Sequence, residues 1–356
     1  MTEITEETLK SQIQDQRVML IGGAGFIGHH LALALSALGT KVMVVDNLMV
    51  NSLIANVYDP GMDAIRRELY RGFLLERFKR LRDSQVELRN ADARIMADLS
   101  TIFDEFEPTK IVHLSALASA VDAKKQPGLS FDLQLVTLRN ALELCRFRKD
   151  VNQLLLISSS TVYGDFAEAQ VDESTAPRPK GIYANTKYMA ERLVRTYRDQ
   201  YDLGTTIVRP SALYGERCIS RRVSQIFIEN ALLKQPLLLE GGGEATLDFT
   251  YIGDLVDGMV RALALHHGRE DSTTFNLTYG RARKISELVE IISEVVPDAI
   301  VEVRPRATEK PVRGTLSIER ARSLLGFEPR WPIEKGYRHY CEWYVDQWTR
   351  ATAGAK

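Results

Sequence analysis

The regular part of the chain opens on Val18-Met19-Leu20-Ile21, four apolar residues with no polar position between them, the pattern of a strand buried on both faces. Glycines follow at once. Phe26 to Leu38 then carries apolar residues at helical spacing and is stopped by Gly39, and Val42 to Val45 is a second apolar run that ends on Asp46. The three segments predict a strand, a helix and a second, parallel strand.

The theme recurs down the chain. Ile111-Val112-His113-Leu114 reads as a strand, Leu129 to Phe147 as an amphipathic helix and Leu154-Leu155-Leu156-Ile157 as a strand; a helix around Tyr183 to Gln200 and the strand Thr205 to Val208 follow. Val86 to Leu88 is a weaker strand. Such alternation predicts an α/β fold, a Rossmann-type doubly wound parallel sheet with helices on both faces. Between Asn47 and Gln85 lies a stretch longer than a usual crossover; Met62 to Arg82 within it predicts a solvated helix, a lid or a contact with a second copy being the alternatives. Residues 1–16 are polar and predict a flexible tail without the basic and apolar regions of a secretory signal.

Beyond Arg209 the rhythm breaks into loops, a helix from Arg222 to Leu233, Gly241-Gly242-Gly243 and mixed elements. The predicted organisation is a dinucleotide-binding unit over 17–208, with 244–280 returning to it. A smaller substrate-binding region covers 209–243 and 281–350, over the carboxyl edge where ligands of open α/β sheets bind.

Composition narrows the class. Of the 356 residues 45% are hydrophobic and 26% charged, an ordinary globular balance, and the formal net charge of −1 implies no bulk attraction to nucleic acid or an anionic membrane. Any anionic ligand must be held by local groups. Cys145, Cys218 and Cys341 are odd in number and lack CxxC spacing, which disfavours a disulfide framework or thiolate metal site and predicts a reducing, cytoplasmic setting. No apolar run approaches the roughly 18 residues of a membrane span.

Gly22-Gly23-Ala24-Gly25-Phe26-Ile27-Gly28 sits directly after a strand and opens a helix. Gly22 permits the tight turn, Gly25 lets the backbone approach a pyrophosphate, and Gly28 lets helix and strand pack closely; the N–H groups of Phe26 and Ile27 begin the helix. Asp46 falls eighteen residues after Gly28, where a carboxylate accepts the hydroxyls of an adenosine ribose. It would repel a 2′-phosphate, and Asn47 brings no positive charge, so the pattern predicts NAD rather than NADP. Asp92 and Ala93, after the weak strand, are candidates to meet the adenine, a plain surface aspartate being the alternative.

Tyr183-Ala184-Asn185-Thr186-Lys187 puts a phenol and an ammonium four residues apart, on one helix face. A phenol ordinarily keeps its proton to about pH 10, so acting as a base near neutrality needs a cation beside it. Ser158-Ser159-Ser160-Thr161 supplies hydroxyls at the carboxyl end of a buried strand, where one can hydrogen-bond a substrate oxygen passing between alcohol and ketone. His29-His30 and His266-His267 lack supporting ligand spacing, and no metal is predicted.

In combination these motifs resemble the extended short-chain dehydrogenase/reductase family, in particular its NAD-dependent nucleotide-sugar epimerases and dehydratases of the UDP-galactose or UDP-glucuronate 4-epimerase type. The resemblance spans Val18 to Trp331 and also rests on His113-Leu114-Ser115-Ala116, Val208-Arg209-Pro210, Tyr214-Gly215 and Asp248-Phe249-Thr250-Tyr251-Ile252. It implies that Tyr183 is the base, Lys187 its tuner and nicotinamide-ribose ligand, and Ser159 the catalytic hydroxyl, with Ser160 and Thr161 beside it. It further implies that Leu114, Ser115, Ala116 and Pro210 contact cofactor. Family dehydratases carry an Asp-Glu pair at the positions of Ser160 and Thr161, and decarboxylases a glutamate at that of Thr161; threonine matches the 4-epimerases.

The chain also departs from the pattern. Leu247 stands where the family's diphosphate-gripping arginine is usual, and Ala212 where an asparagine is. Arg217, Arg221, Arg222 and Arg313 are candidates to replace the lost charge on the substrate. The resemblance implies a 4-epimerase of a nucleotide-activated hexose or hexuronate. A dehydratase, reductase or decarboxylase of the same family and a catalytically silent NAD-binding sensor or scaffold are the alternatives. It also implies a homodimer through a four-helix bundle of the helices Leu129 to Phe147 and Tyr183 to Gln200.

Overall fold

A computed structural model describes residues 4–50, 52–53, 61–266, 273–306 and 311–353. Seven strands, β1 (Arg17–Ile21), β2 (Lys41–Asp46), β3 (Glu87–Asn90), β4 (Lys110–His113), β5 (Gln153–Ile157), β6 (Thr205–Arg209) and β7 (Thr274–Asn276), form one sheet in the order β7-β6-β5-β4-β1-β2-β3. Every pairing is parallel, and Leu20 at the centre lies opposite Val44 on one side and Val112 on the other. The chain runs outward from β1 through β2 to β3 and then returns to β4 on the far side of β1. That reversal opens a crevice at the carboxyl ends of β1 and β4.

The unbroken apolar runs exist because both faces of the sheet are covered. Leu20, Val44, Val112, Leu155 and Val208 point into one layer, while Met19, Ile21, Met43, Ile111, Leu154, Leu156 and Ile207 point into the other. The first layer is closed by α2 (Phe26–Ala37), α3 (Ala64–Asp83) and, later in the chain, α8 (Ile252–Leu265). The second is closed by α4 (Met96–Phe106), α5 (Thr137–Phe147) and α6 (Gly181–Tyr201). After β6 come α7 (Val223–Leu232), α9 (Ile285–Val295) and α10 (Ile333–Ala353), with short two-stranded ladders between them.

Several expectations are corrected here. Residues 6–13 are not a flexible tail: α1 (Glu6–Ile13) is capped by the Thr5 hydroxyl and buries Leu9 and Ile13, an i, i+4 pair, in the first apolar layer. The predicted helix from Leu129 is interrupted by a π-helical turn, Asp132–Val136, before α5 resumes. The solvated helix of the long crossover is instead packed. In α3 Leu69, Tyr70, Phe73, Leu74, Arg77 and Leu81 make one buried stripe, and Phe73 meets Trp343 and Tyr344 of α10. Its many charges lie off that stripe, which is why composition alone made it look wet.

Candidate active site

The glycine turn leaves β1 and enters α2 with no side chain in the way. Gly22 adopts φ +77°, and a Cβ there would stand 2.7 Å from the Ser115 nitrogen at the end of β4. The N-terminus of α2 has no side-chain cap, so the first-turn N–H groups are open to an anion. In front of it lies a cavity of about 640 Å³ lined by Gly22, Gly25, Phe26, Ile27 and Gly28. Leu114, Ser115 and Ala116 form its floor across the β1–β4 switch.

Asp46, at the end of β2, reaches the same cavity. Its carboxylate accepts from Ala24 N at 2.9 Å and Leu48 N at 2.8 Å; burial raises its pKa, and the two N–H groups pull it back. Asn47 donates through Nδ2 to Asp92 at 3.1 Å, and hydrogen bonds from Arg94 hold the Asp92 carboxyl down at about 2. Asp92 and Ala93 line the cavity, so the adenine-side placement expected of them is available. A bare glycine turn, an uncapped helix start, a carboxylate at the second strand and a neutral Asn47 together fit NAD.

A second cavity, about 340 Å³, holds Ser159, Ser160, Thr161, Tyr183, Lys187 and Pro210. Ile27, Leu114, Ala116, Ala118 and Arg222 line both spaces, so the two adjoin. Tyr183, Lys187 and Glu191 succeed one another at four-residue steps on α6. Lys187 is buried, donates through Nζ to the Ile157 carbonyl at 2.8 Å, and is pushed by burial down to about 7, with Glu191 opposing. Ser159 Oγ accepts from Thr161 N at 3.2 Å, capping the turn Ser160–Tyr163. Among the described residues Thr161 Oγ1 and Arg222 Nε have no hydrogen-bond partner, and no Asp or Glu lines this cavity.

Glu191, which sequence reasoning missed, and Arg209, named there only within a motif, fix the face that carries Tyr183 and Lys187. The buried Glu191 carboxylate accepts from Ser158 Oγ at 2.5 Å and from Arg209 at 2.9 and 2.6 Å, joining α6 to the ends of β5 and β6. The readable signal was Glu191 continuing the Tyr183, Lys187 spacing.

The candidate arginines divide. Arg313 lines the smaller cavity beside Leu247 and Ala212, and its Nη1 donates to the carbonyls of Ser160 and Gly164 at 3.2 and 2.8 Å. Its Nε and Nη2 make no hydrogen bond among the described residues. Arg222 lines both cavities, and Arg221 lines the larger one. Arg217 is a correction: it lines neither cavity, and its guanidinium is spent on Glu76 of α3 and on His29 and His30 of α2. Arg217 itself sits at a positive φ of +60°. His29 Nδ1 pairs with the Gly25 carbonyl at 2.8 Å and burial keeps the ring neutral, so Nε2 accepts from Arg217. Among the described residues no three His, Cys, Asp or Glu cluster as a metal site; His267 lies outside them.

A profile of the "NAD dependent epimerase/dehydratase family" matches residues 18–278. UDP-glucuronic acid decarboxylase 4 of Arabidopsis thaliana is 30% identical over 331 residues, 90% of this chain and 66% of that protein. The chain thus spans just under two thirds of that relative. UDP-glucuronate 4-epimerase 1 of the same plant is 28% identical over 349 residues, covering 92% of this chain and 76% of the relative. The crystal structure of Thermus thermophilus UDP-glucose 4-epimerase in complex with NAD aligns with a TM-score of 0.76 at 26% identity, over 92% of this chain and 99% of that one. No helix among the described residues is long and apolar enough to cross a membrane.

Proposed function

Since the chain belongs to the NAD-dependent epimerase/dehydratase family, we propose that it is an NAD-dependent 4-epimerase of a nucleotide-activated hexose or hexuronate. The observation that carries this reading is the smaller cavity. It gathers Tyr183, Lys187, Ser159 and Thr161 beside the dinucleotide site and, among the described residues, offers no carboxyl group to expel water. NAD, when bound, supplies a reversible hydride acceptor. Tyr183 takes the proton of the sugar C4 hydroxyl and later returns it. The Lys187 ammonium favours the phenolate, and the Ser159 hydroxyl hydrogen-bonds the C4 oxygen as it becomes a ketone. Thr161 Oγ1, without a protein partner among the described residues, is a second donor for the sugar. Gly22, Gly25, Phe26, Ile27 and Gly28 hold the pyrophosphate, and Asp46 the adenosine ribose. Ser115, Ala116 and Pro210 contact the nicotinamide end.

Arg313 and Arg222 take over the anionic part of the substrate that Leu247 cannot grip. Arg313→Gln is expected to raise KM for the nucleotide sugar about 10- to 100-fold, the worth of one or two charge-assisted hydrogen bonds, with kcat much less affected. Steady-state kinetics check this; an unchanged KM would leave Arg313 to its contact with Phe166. The proposal extends to a homodimer pairing the helical segments around α5 and α6, and to a cytoplasmic setting in which the three buried, free cysteines stay reduced.

Incubation with UDP-, GDP-, CDP- and dTDP-hexoses and hexuronates, with products resolved by NMR and mass spectrometry, tests the reading. An isobaric product inverted at C4 with no net NADH is the expected result. Loss of carbon dioxide would replace it with the second reading, decarboxylation. That reading is favoured by the 30% identity to a decarboxylase and by the chemistry of a 4-keto hexuronate, a β-keto acid able to lose carbon dioxide without an acid pair. Loss of water would indicate a dehydratase, and NAD binding without turnover a sensor or scaffold.

A further inference from the structure

Residues 216–222 run from the end of the sheet to α7, and Ile219, Ser220, Arg221 and Arg222 form one wall of the larger cavity. The glycine turn lines the same cavity. Two walls meeting over a ligand must be held apart at a set distance, and the group between them here is Arg77. Its side chain is fully buried in α3 yet lines the cavity. It donates through Nη1 to the Ala24 carbonyl at 3.4 Å, and through Nε, at 3.1 Å, and Nη2 to the Arg217 carbonyl. Asp46 grips the same Ala24 residue by its N–H, so the turn is held from both sides.

The segment is sewn down at further points. His30 Nε2 pairs with the Glu216 carbonyl at 3.2 Å, and Arg217 Nε donates to His29 Nε2 at 3.2 Å. Arg221 Nε reaches the buried Glu229 of α7 at 3.3 Å. Arg217 and Arg221 both sit at positive φ, +60° and +45°, a backbone strain that persists only where such contacts over-determine it. The contacts gather at Glu216 and Arg217, immediately before the residues that line the cavity, and at Arg221 within them.

We propose that residues 216–222 are a strap that retains the dinucleotide, and that Arg77 is the positioning residue that anchors the strap to the glycine turn. The inference rests on the larger cavity being the NAD site and is independent of which sugar reaction follows. An enzyme that returns its hydride each cycle gains from never releasing the cofactor, and a helix inserted between β2 and β3 supplies the anchor.

The test is the release of NAD from the purified protein, followed by nucleotide analysis after dilution into excess ADP-ribose, for wild type, Arg77→Met, Arg77→Lys and Arg221→Ala. Arg77→Met is expected to release NAD about 10- to 100-fold faster, as loss of hydrogen bonds from a charged group implies, and Arg77→Lys to recover part of the retention. Release at the wild-type rate, or an Arg77→Met protein that melts earlier while holding NAD as tightly, would overturn the proposal. Should Arg77→Met fail to fold, Arg221→Ala decides, because that side chain is half exposed. Its loss should speed release about threefold or more, the scale of one partly exposed charged contact, and unaltered release would refute the strap. Wild-type protein that binds no NAD would instead remove the cofactor site itself.

Discussion

Replacing Tyr183 by phenylalanine is expected to lower turnover about 10²- to 10⁴-fold, the usual contribution of a positioned acid-base group, while NAD binding and melting temperature stay near those of wild type. The tyrosine is half-buried, and its hydroxyl makes no hydrogen bond among the described residues, so phenylalanine keeps the ring and orphans no partner. What is lost is, among the described residues, the one phenol that lines the cavity, on the face of α6 that also carries Lys187. Initial rates on the accepted nucleotide sugar, with NAD content measured alongside, check the prediction. Turnover surviving the change would remove Tyr183 as the base, and lost NAD would mean that its role was to hold the cofactor.

Gly28→Ala should be as damaging by a different route. The added Cβ would lie 2.4 Å from the Gly23 oxygen and 2.5 Å from the Gly23 Cα, both main-chain atoms that cannot swing aside. Helix α2 must therefore move off the turn, at a cost of about 1–3 kcal/mol typical of overpacking. Because the same movement displaces the N–H groups proposed to meet the pyrophosphate, NAD affinity is expected to fall about 10- to 100-fold, the equivalent of about 1.4 to 2.8 kcal/mol. Calorimetric titration with NAD and a thermal melt measure the two effects. An alanine variant that binds NAD like wild type would show that the close approach of Gly28 to Gly23 is not what shapes the site.

Much of the site was legible because its signals are local. An apolar run ending in Gly22 predicts a strand and a turn, and Asp46 closing the next run predicts a carboxylate beside the ribose, whatever covers them. Tyr183 and Lys187 share a face by the geometry of one helix. The arginines resisted such reading. Arg217, Arg222 and Arg313 are alike in sequence, but Arg217 faces two histidines and Glu76, Arg222 lines both cavities, and Arg313 borders the smaller one. Long side chains on irregular segments carry no period from which a direction follows.

The tail and the long crossover were misread for a related reason. Leu9 and Ile13 are one apolar pair in a polar stretch, and the stripe of α3 is diluted by charge; both become core only because α8 and α10 stand ready to cover them.

The order of apolar runs and glycines along the chain was sufficient to determine a parallel sheet, a glycine turn opening a helix and a phenol-ammonium pair, since each depends on neighbours within a few residues. The packed fold alone decided that Arg77 reaches across 140 positions to the carbonyl of Arg217, that Glu191 ties α6 to the ends of β5 and β6, and that among the described residues no acid lines the smaller cavity. Burial and partnership are set by what long loops bring together, and no local periodicity encodes that closure.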